Sequence, residues 1–173
     1  MRVLGIDPGI QRTGYGIIDD NAVSLKAVDW GVIKTSSRKP FAQRLSAIYH
    51  ELTKVVAEHH PEVAAVEDVF LANNARSALK LGQARGAAII AASNMGLPVE
   101  EYSALQIKQS VAGYGRAEKD QVSKMVCALL GLSSELGGGD AADALAAAIC
   151  HVHSVAFINI QRIDRDQVHG HSK

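Results

Sequence analysis

Cysteine is scarce in this sequence. Only Cys127 and Cys150 occur in 173 residues, and neither stands in a CxxC or Cys/His spacing. A disulfide scaffold and a structural zinc site are therefore not expected, and both residues read as buried thiols in apolar, helix-patterned segments. Net charge is also missing, with 18 basic against 18 acidic residues. A protein that coats nucleic acid by bulk attraction carries a positive excess, so the balance argues against a coat. It leaves room for an enzyme whose acids cluster at one place. No apolar run approaches the ~20 residues that span a bilayer, and the apolar run at the start is too short for a secretory leader. A cytoplasmic protein is the expectation. No repeat, low-complexity stretch or linker interrupts the chain. One domain is expected over residues 1–156, followed by a polar, patternless, flexible tail over 157–173.

What is present is globular in balance, 47% hydrophobic and 21% charged. Residues 2 to 7 read as a buried strand stopped by Pro8-Gly9. Residues 13 to 19 read as a second strand, whose alternating glycines leave one face open to close approach. Residues 23 to 34 give a third, so the first three form an antiparallel meander. Pro40 opens a helix in which Phe41, Leu45, Ile48, Leu52 and Val55 keep a helical period, and Pro61 ends it. Val63 to Val66 form a short strand running into Glu67. Asn73 is placed to cap a helix that ends near Met95. Residues 98 to 102 are a fifth strand, and Ser103 starts a short helix to about Val111. Helices over 117–130 and from Asp140 to about Val155 complete the chain. The order predicts an α/β domain, a five-stranded mixed sheet flanked by helices, with strands four and five joined in parallel by right-handed crossovers.

Four acids carry the chemistry. Asp7 and Glu67 each end an apolar strand, where an ionised carboxylate needs an offsetting charge and where open α/β sheets place ligands. Asp140 and Asp143, three apart at a helix start, share a face. All are oxygen donors without histidine or cysteine, a set that suits magnesium or manganese. Other roles fit the same residues. Asp140 with Asp143 can form a helix cap, Asp7 can belong to a turn, and Glu67 can be a solvated strand end. Spacing alone leaves these open.

The ordered segments Gly5-Ile6-Asp7-Pro8-Gly9, Thr13-Gly14-Tyr15-Gly16, Val66-Glu67-Asp68-Val69-Phe70, Ser77 to Gly86 (SALKLGQARG), Ala117-Glu118-Lys119 and Asp140-Ala141-Ala142-Asp143-Ala144 cover nearly the whole chain. In them the sequence closely resembles the RuvC family of Holliday-junction resolvases. The resemblance implies a ribonuclease-H-like fold. It also implies four catalytic, metal-binding carboxylates on Asp7, Glu67, Asp140 and Asp143, holding two Mg²⁺ per subunit with Mn²⁺ as a substitute. The implied activity is a pair of symmetric nicks in a four-way DNA junction by two-metal hydrolysis, leaving 5′-phosphate and 3′-hydroxyl ends, in recombination and repair. The implied partners are the junction DNA, a second copy of the chain, and junction-binding and branch-migration proteins of the RuvA-RuvB type.

The resemblance also marks residues that hold DNA. Phe70, an aromatic in a polar loop, is implied to stack on bases at the junction, although a loop ring can equally fold onto the core. Lys108 and Lys119 match lysines near the scissile phosphate. Arg76, Lys80 and Gln83 form one polar helix face, with Arg85 close by, which can follow phosphates or simply face water; Arg76 lies outside the family's pattern. Ala75, Ala78, Gly82 and Gly86 on that helix suit either packing on the sheet or a helix from the second subunit. Three other classes compete. An actin-like ATPase shares the first loop but needs a second lobe. A ribonuclease H uses the same fold on 2′-hydroxyls. A junction-binding protein without cleavage has no use for four intact acids.

Overall fold

The computed structural model describes residues 1–68, 74–132, 136 and 139–170, with side chains through residue 158. The elements in chain order are β1 (Arg2–Asp7), β2 (Arg12–Asp20), β3 (Leu25–Lys34), α1 (Phe41–His59), β4 (Val63–Asp68), α2 (Ala75–Asn94), β5 (Val99–Ser103), α3 (Ala104–Ala112), α4 (Lys119–Leu130) and α5 (Gly139–Gly170). They form one five-stranded sheet in the order β3-β2-β1-β4-β5. The first three strands pair antiparallel, as a meander must when joined by short loops. β4 and β5 join parallel, each after a crossing helix.

Alternation along the central strands sends apolar side chains both ways. Leu4, Ile6, Ala64 and Val66 pack with Ile48 and Leu52 of α1 and with Ala84, Ala88 and Ala91 of α2. Val3 and Ala65 pack on the opposite face with Leu145 and Ile149 of α5 and with Ile107 of α3 and Val126 of α4. The sheet is thus buried on both faces, which is why its middle strands read as apolar runs.

α5 lies unusually close to the sheet. A Cβ at Gly5 would run into the main chain at Ala144, one at Gly14 into the main chain at Asp140, and one at Gly16 into Leu145. The open glycine face expected along the second strand is therefore filled, and the group that fills it is α5.

Several boundaries differ from the sequence expectation. β3 begins at Leu25, because the Asn21 side chain accepts from the Val23 and Ser24 amides and turns residues 21–24. The cap of α2 is Asn74, whose side chain accepts from Ser77 N at 2.8 Å; the expected Asn73 lies outside the described residues. α4 starts at Lys119 rather than 117, with Glu118 and Gln121 closing a capping box. α5 opens at Gly139, so Asp140 sits inside its first turn, and it continues through Gly170 rather than ending near Val155. Cys150 is buried but Cys127 only half-buried, with no disulfide between them.

One bulk expectation is also corrected. Gly139–Ile158 has the length and mean hydropathy (1.6) of a membrane-crossing helix. The apolar content arises because α5 is a core helix, with residues 144–150 almost wholly enclosed between the sheet, α3 and α4.

Candidate active site

The parallel register of β1 and β4 sets Ile6 beside Val66, so the next residues, Asp7 and Glu67, emerge together at the carboxyl ends of adjacent strands. Asp7 is also the cross-strand partner of Gly14, against which the main chain of Asp140 rests. The close seat of α5 thereby brings its first turn alongside the two strand acids. A cavity of about 250 Å³ results, lined by Asp7, Glu67, Lys108, Lys119 and Asp143 and walled by Ala104, Ile107 and Val122.

The electrostatics of this cavity are those of crowded acids. Burial first, then the charges of Glu67, Asp143 and Asp140, push the Asp7 carboxyl up to about 8. Glu67 is also raised, by burial and then by Asp143, with Lys119 and a hydrogen bond from Asp7 opposing. Lys119 donates to Asp143 at 2.9 Å, and this contact lifts its own pKa, so it stays charged. Asp140 does not line the cavity; its carboxylate accepts from Nε of Arg12, 128 positions earlier. Among the described residues no three His, Cys, Asp or Glu side chains form a ready-made metal cage. The donor set nevertheless fits a hard divalent cation. It is all oxygen, and the raised Asp7 carboxyl records negative charge that only a cation or a proton can offset.

The other sequence candidates are distributed as follows. Lys108 and Lys119 both line the cavity. Phe70 lies outside the described residues. Arg76 and Lys80 are exposed on α2, and the Lys80 ammonium stands 6.0 Å from the Phe41 ring centre. Arg85 is drawn inward, pairing with Asp68 at 3.3 Å and with Glu101, and its Nε is buried without a partner among the described residues. Gly82 and Gly86 face open space, so these small residues of α2 do not pack on the sheet; Ala84, Ala88, Ala91 and Ala92 do. Sequence reasoning missed Arg12 as the partner of Asp140. The available signal was the period-two face that Arg12 shares with Gly14 and Gly16.

A mixed sheet in this strand order, with acids at the ends of its two central strands and on a helix laid across them, defines a ribonuclease-H-like α/β domain. Comparison with known proteins narrows the class. The model of the family described as Crossover junction endodeoxyribonuclease RuvC matches residues 3–151, and the chain belongs to that family. The crossover junction endodeoxyribonuclease RuvC of Citrifermentans bemidjiense is 60% identical over 157 residues, covering 91% of this chain and 95% of that protein. The protein of the same name from Geobacter sulfurreducens is 56% identical over 162 residues, covering 94% of this chain and 98% of that one. Among solved structures, Thermus thermophilus RuvC in complex with a Holliday junction substrate superposes with a TM-score of 0.85 at 37% identity, covering 90% of this chain and 94% of that one. The yeast mitochondrial resolvase Ydc2 shares the fold, with a TM-score of 0.71 at 14% identity over 96% of this chain and 83% of that one.

Proposed function

We propose that the chain is a divalent-metal-dependent endonuclease that resolves four-way DNA junctions by paired symmetric nicks, giving 5′-phosphate and 3′-hydroxyl ends. The observation that carries this reading is the cavity in which Asp7, Glu67 and Asp143 meet two lysines, in a chain of this family. Glu67 would help to hold one cation and Asp140 and Asp143 the other, with Asp7 contributing to both. Two Mg²⁺ ions, when bound, would stabilise the attacking and leaving oxygens of an in-line displacement, with Mn²⁺ as a substitute.

The chain's own side chains do the rest. Lys108 and Lys119 bind the oxygens of the scissile phosphate and hold it over the acids. Divalent cations, when bound, would favour the ionised form of Asp7, whose carboxyl is raised by burial and by the neighbouring acids. Phe70 stacks on a base at the crossover, and Arg76 and Lys80 follow phosphates along the exposed face of α2. The contacts of Arg85 with Asp68 and Glu101 favour a structural role for it over a DNA contact. The open glycines of α2 and its exposed Leu79 support pairing with a second copy, which would present two cavities to the twofold-symmetric junction. Family membership supports work with RuvA-RuvB-type proteins on DNA in the cytoplasm, by a nuclease domain over residues 1–156.

The test is a labelled synthetic mobile junction with Mg²⁺, Ca²⁺ or chelator. Symmetric nicks in Mg²⁺ alone, with binding in all three, are expected. A gel shift under every condition without nicks in any would leave only a binding protein. Phe70→Ala is expected to bind the junction and cut it slowly.

A further inference from the structure

We propose that Arg12, Lys34 and Trp30 form a second nucleic-acid contact, a shelf that carries a DNA strand away from the catalytic cavity; this rests on the nuclease reading above. The β2–β3 register pairs Arg12 with Lys34, Gly14 with Val32 and Gly16 with Trp30, so all of these side-chain positions share one face of the sheet. Gly14 and Gly16 identify it as the face covered by α5. β3 is the outer strand, and its Lys34 and Trp30 extend that face beyond the helix. With Arg12, Val32 and Ala141 they line an open cavity of about 260 Å³. Lys34 is exposed and makes no salt bridge among the described residues. Trp30 is 37% exposed. Arg12 engages Asp140 through Nε alone.

Two cations beside a flat exposed ring match the chemistry of a nucleic-acid strand, phosphates on the cations and a base on the indole. The position fits the same ligand. Ala141 belongs to the shelf and Asp143 to the catalytic cavity, so the two sites flank the first turn of α5. They stand roughly one helix width, about 10 Å, apart. A strand held over Asp7 and Glu67 that crosses this turn meets Arg12 and then Trp30. An acidic peptide would need the cations but would gain nothing from the ring.

Trp30 is the chain's only tryptophan, so its emission reports the shelf directly. The full chain is titrated with a synthetic four-way junction in chelator, where nothing is cut, alongside a gel shift. Quenching of tryptophan emission that saturates with the gel shift, and protection from iodide, are the expected results. Trp30→Ala weakens binding by about fivefold or more. Lys34→Ala lowers the slope of log affinity against log salt by about 0.9, the loss of one phosphate contact. Lys34 is the deciding position because, unlike Arg12, it touches no acid of the site; thermal melting of each variant checks its fold. A junction that binds while emission and salt slope stay unchanged overturns the shelf and leaves the nuclease reading standing. Equal quenching by polyglutamate overturns its assignment to DNA. A chain that binds no junction removes the nuclease reading, and the shelf with it.

Discussion

Asp7 and Glu67 stand on strands; Asp140 and Asp143 stand on the first turn of a helix, and the two pairs are treated oppositely by their surroundings. The strand acids are half-buried, raised in pKa and, among the described residues, in no salt bridge. The helix acids each have a cation of their own, Arg12 for Asp140 and Lys119 for Asp143. The difference lies in the neighbours. Burial and the charges of the other acids raise the strand pair, whereas each helix acid accepts a hydrogen bond from a cation. The strand pair therefore carries the electrostatic tension of the site. On the reading proposed above, a DNA phosphate approaching Arg12 and Lys119 would compete for the same cations and uncover the helix acids.

The largest test of this contrast is Asp7→Asn. Cleavage of a labelled junction should fall by more than about 10³-fold, while junction binding in a gel shift persists or tightens, since a negative charge near the phosphates is lost. Binding lost together with cleavage would mean a folding defect and would break the comparison. Second is Gly14→Ala, which drives a methyl group into the main chain of Asp140 and separates the two pairs. It should destabilise the domain by about 1–3 kcal/mol in denaturant unfolding and slow cleavage in the surviving folded fraction. Third, Lys119→Ala removes the cation of Asp143. At saturating Mg²⁺ it should cut about tenfold more slowly, yet metal titration should give tighter binding, since the acids are then less neutralised.

The effect with the least bearing on cleavage is on stability in the absence of metal. Asp7 titrates near 3.8 in the unfolded chain and at about 8 in the folded one. Between those values the folded state holds the extra proton, so stability falls as pH rises through this window. Melting temperature without metal should decline steadily from pH 4 to pH 8, and Asp7→Asn should flatten the decline. A decline of equal slope in that variant would put the tension elsewhere.

Much of this arrangement was legible in the sequence, because strands that end in acids announce themselves by pattern. Val63 to Val66 before Glu67, and Val3 to Ile6 before Asp7, can hardly be anything but buried strands, and their order forces the parallel pairing that brings the two acids together. The motif around Asp140 was legible only through the family resemblance, since its spacing also suits a helix cap. What escaped was tertiary. The tie between Arg12 and Asp140 spans 128 positions. The inward turn of Arg85 on α2 depends on Glu101, a residue of β5. The helical run of residues 157–170 is obscured by its many polar residues, although Phe157, Ile160 and Ile163 recur at a helical spacing. The cap of α2 slipped by one residue because Asn73 and Asn74 offer the same side chain.

The glycine seat under α5 has a bearing on how such a domain can change over time. Where main chain rests on main chain, the separation between the strand and the helix is set by atomic radii and by no side chain that a mutation could lengthen or trim. Substitutions elsewhere in the core can therefore accumulate without altering the spacing of the acids, and the same catalytic gap can be inherited through sequences that have otherwise drifted far apart.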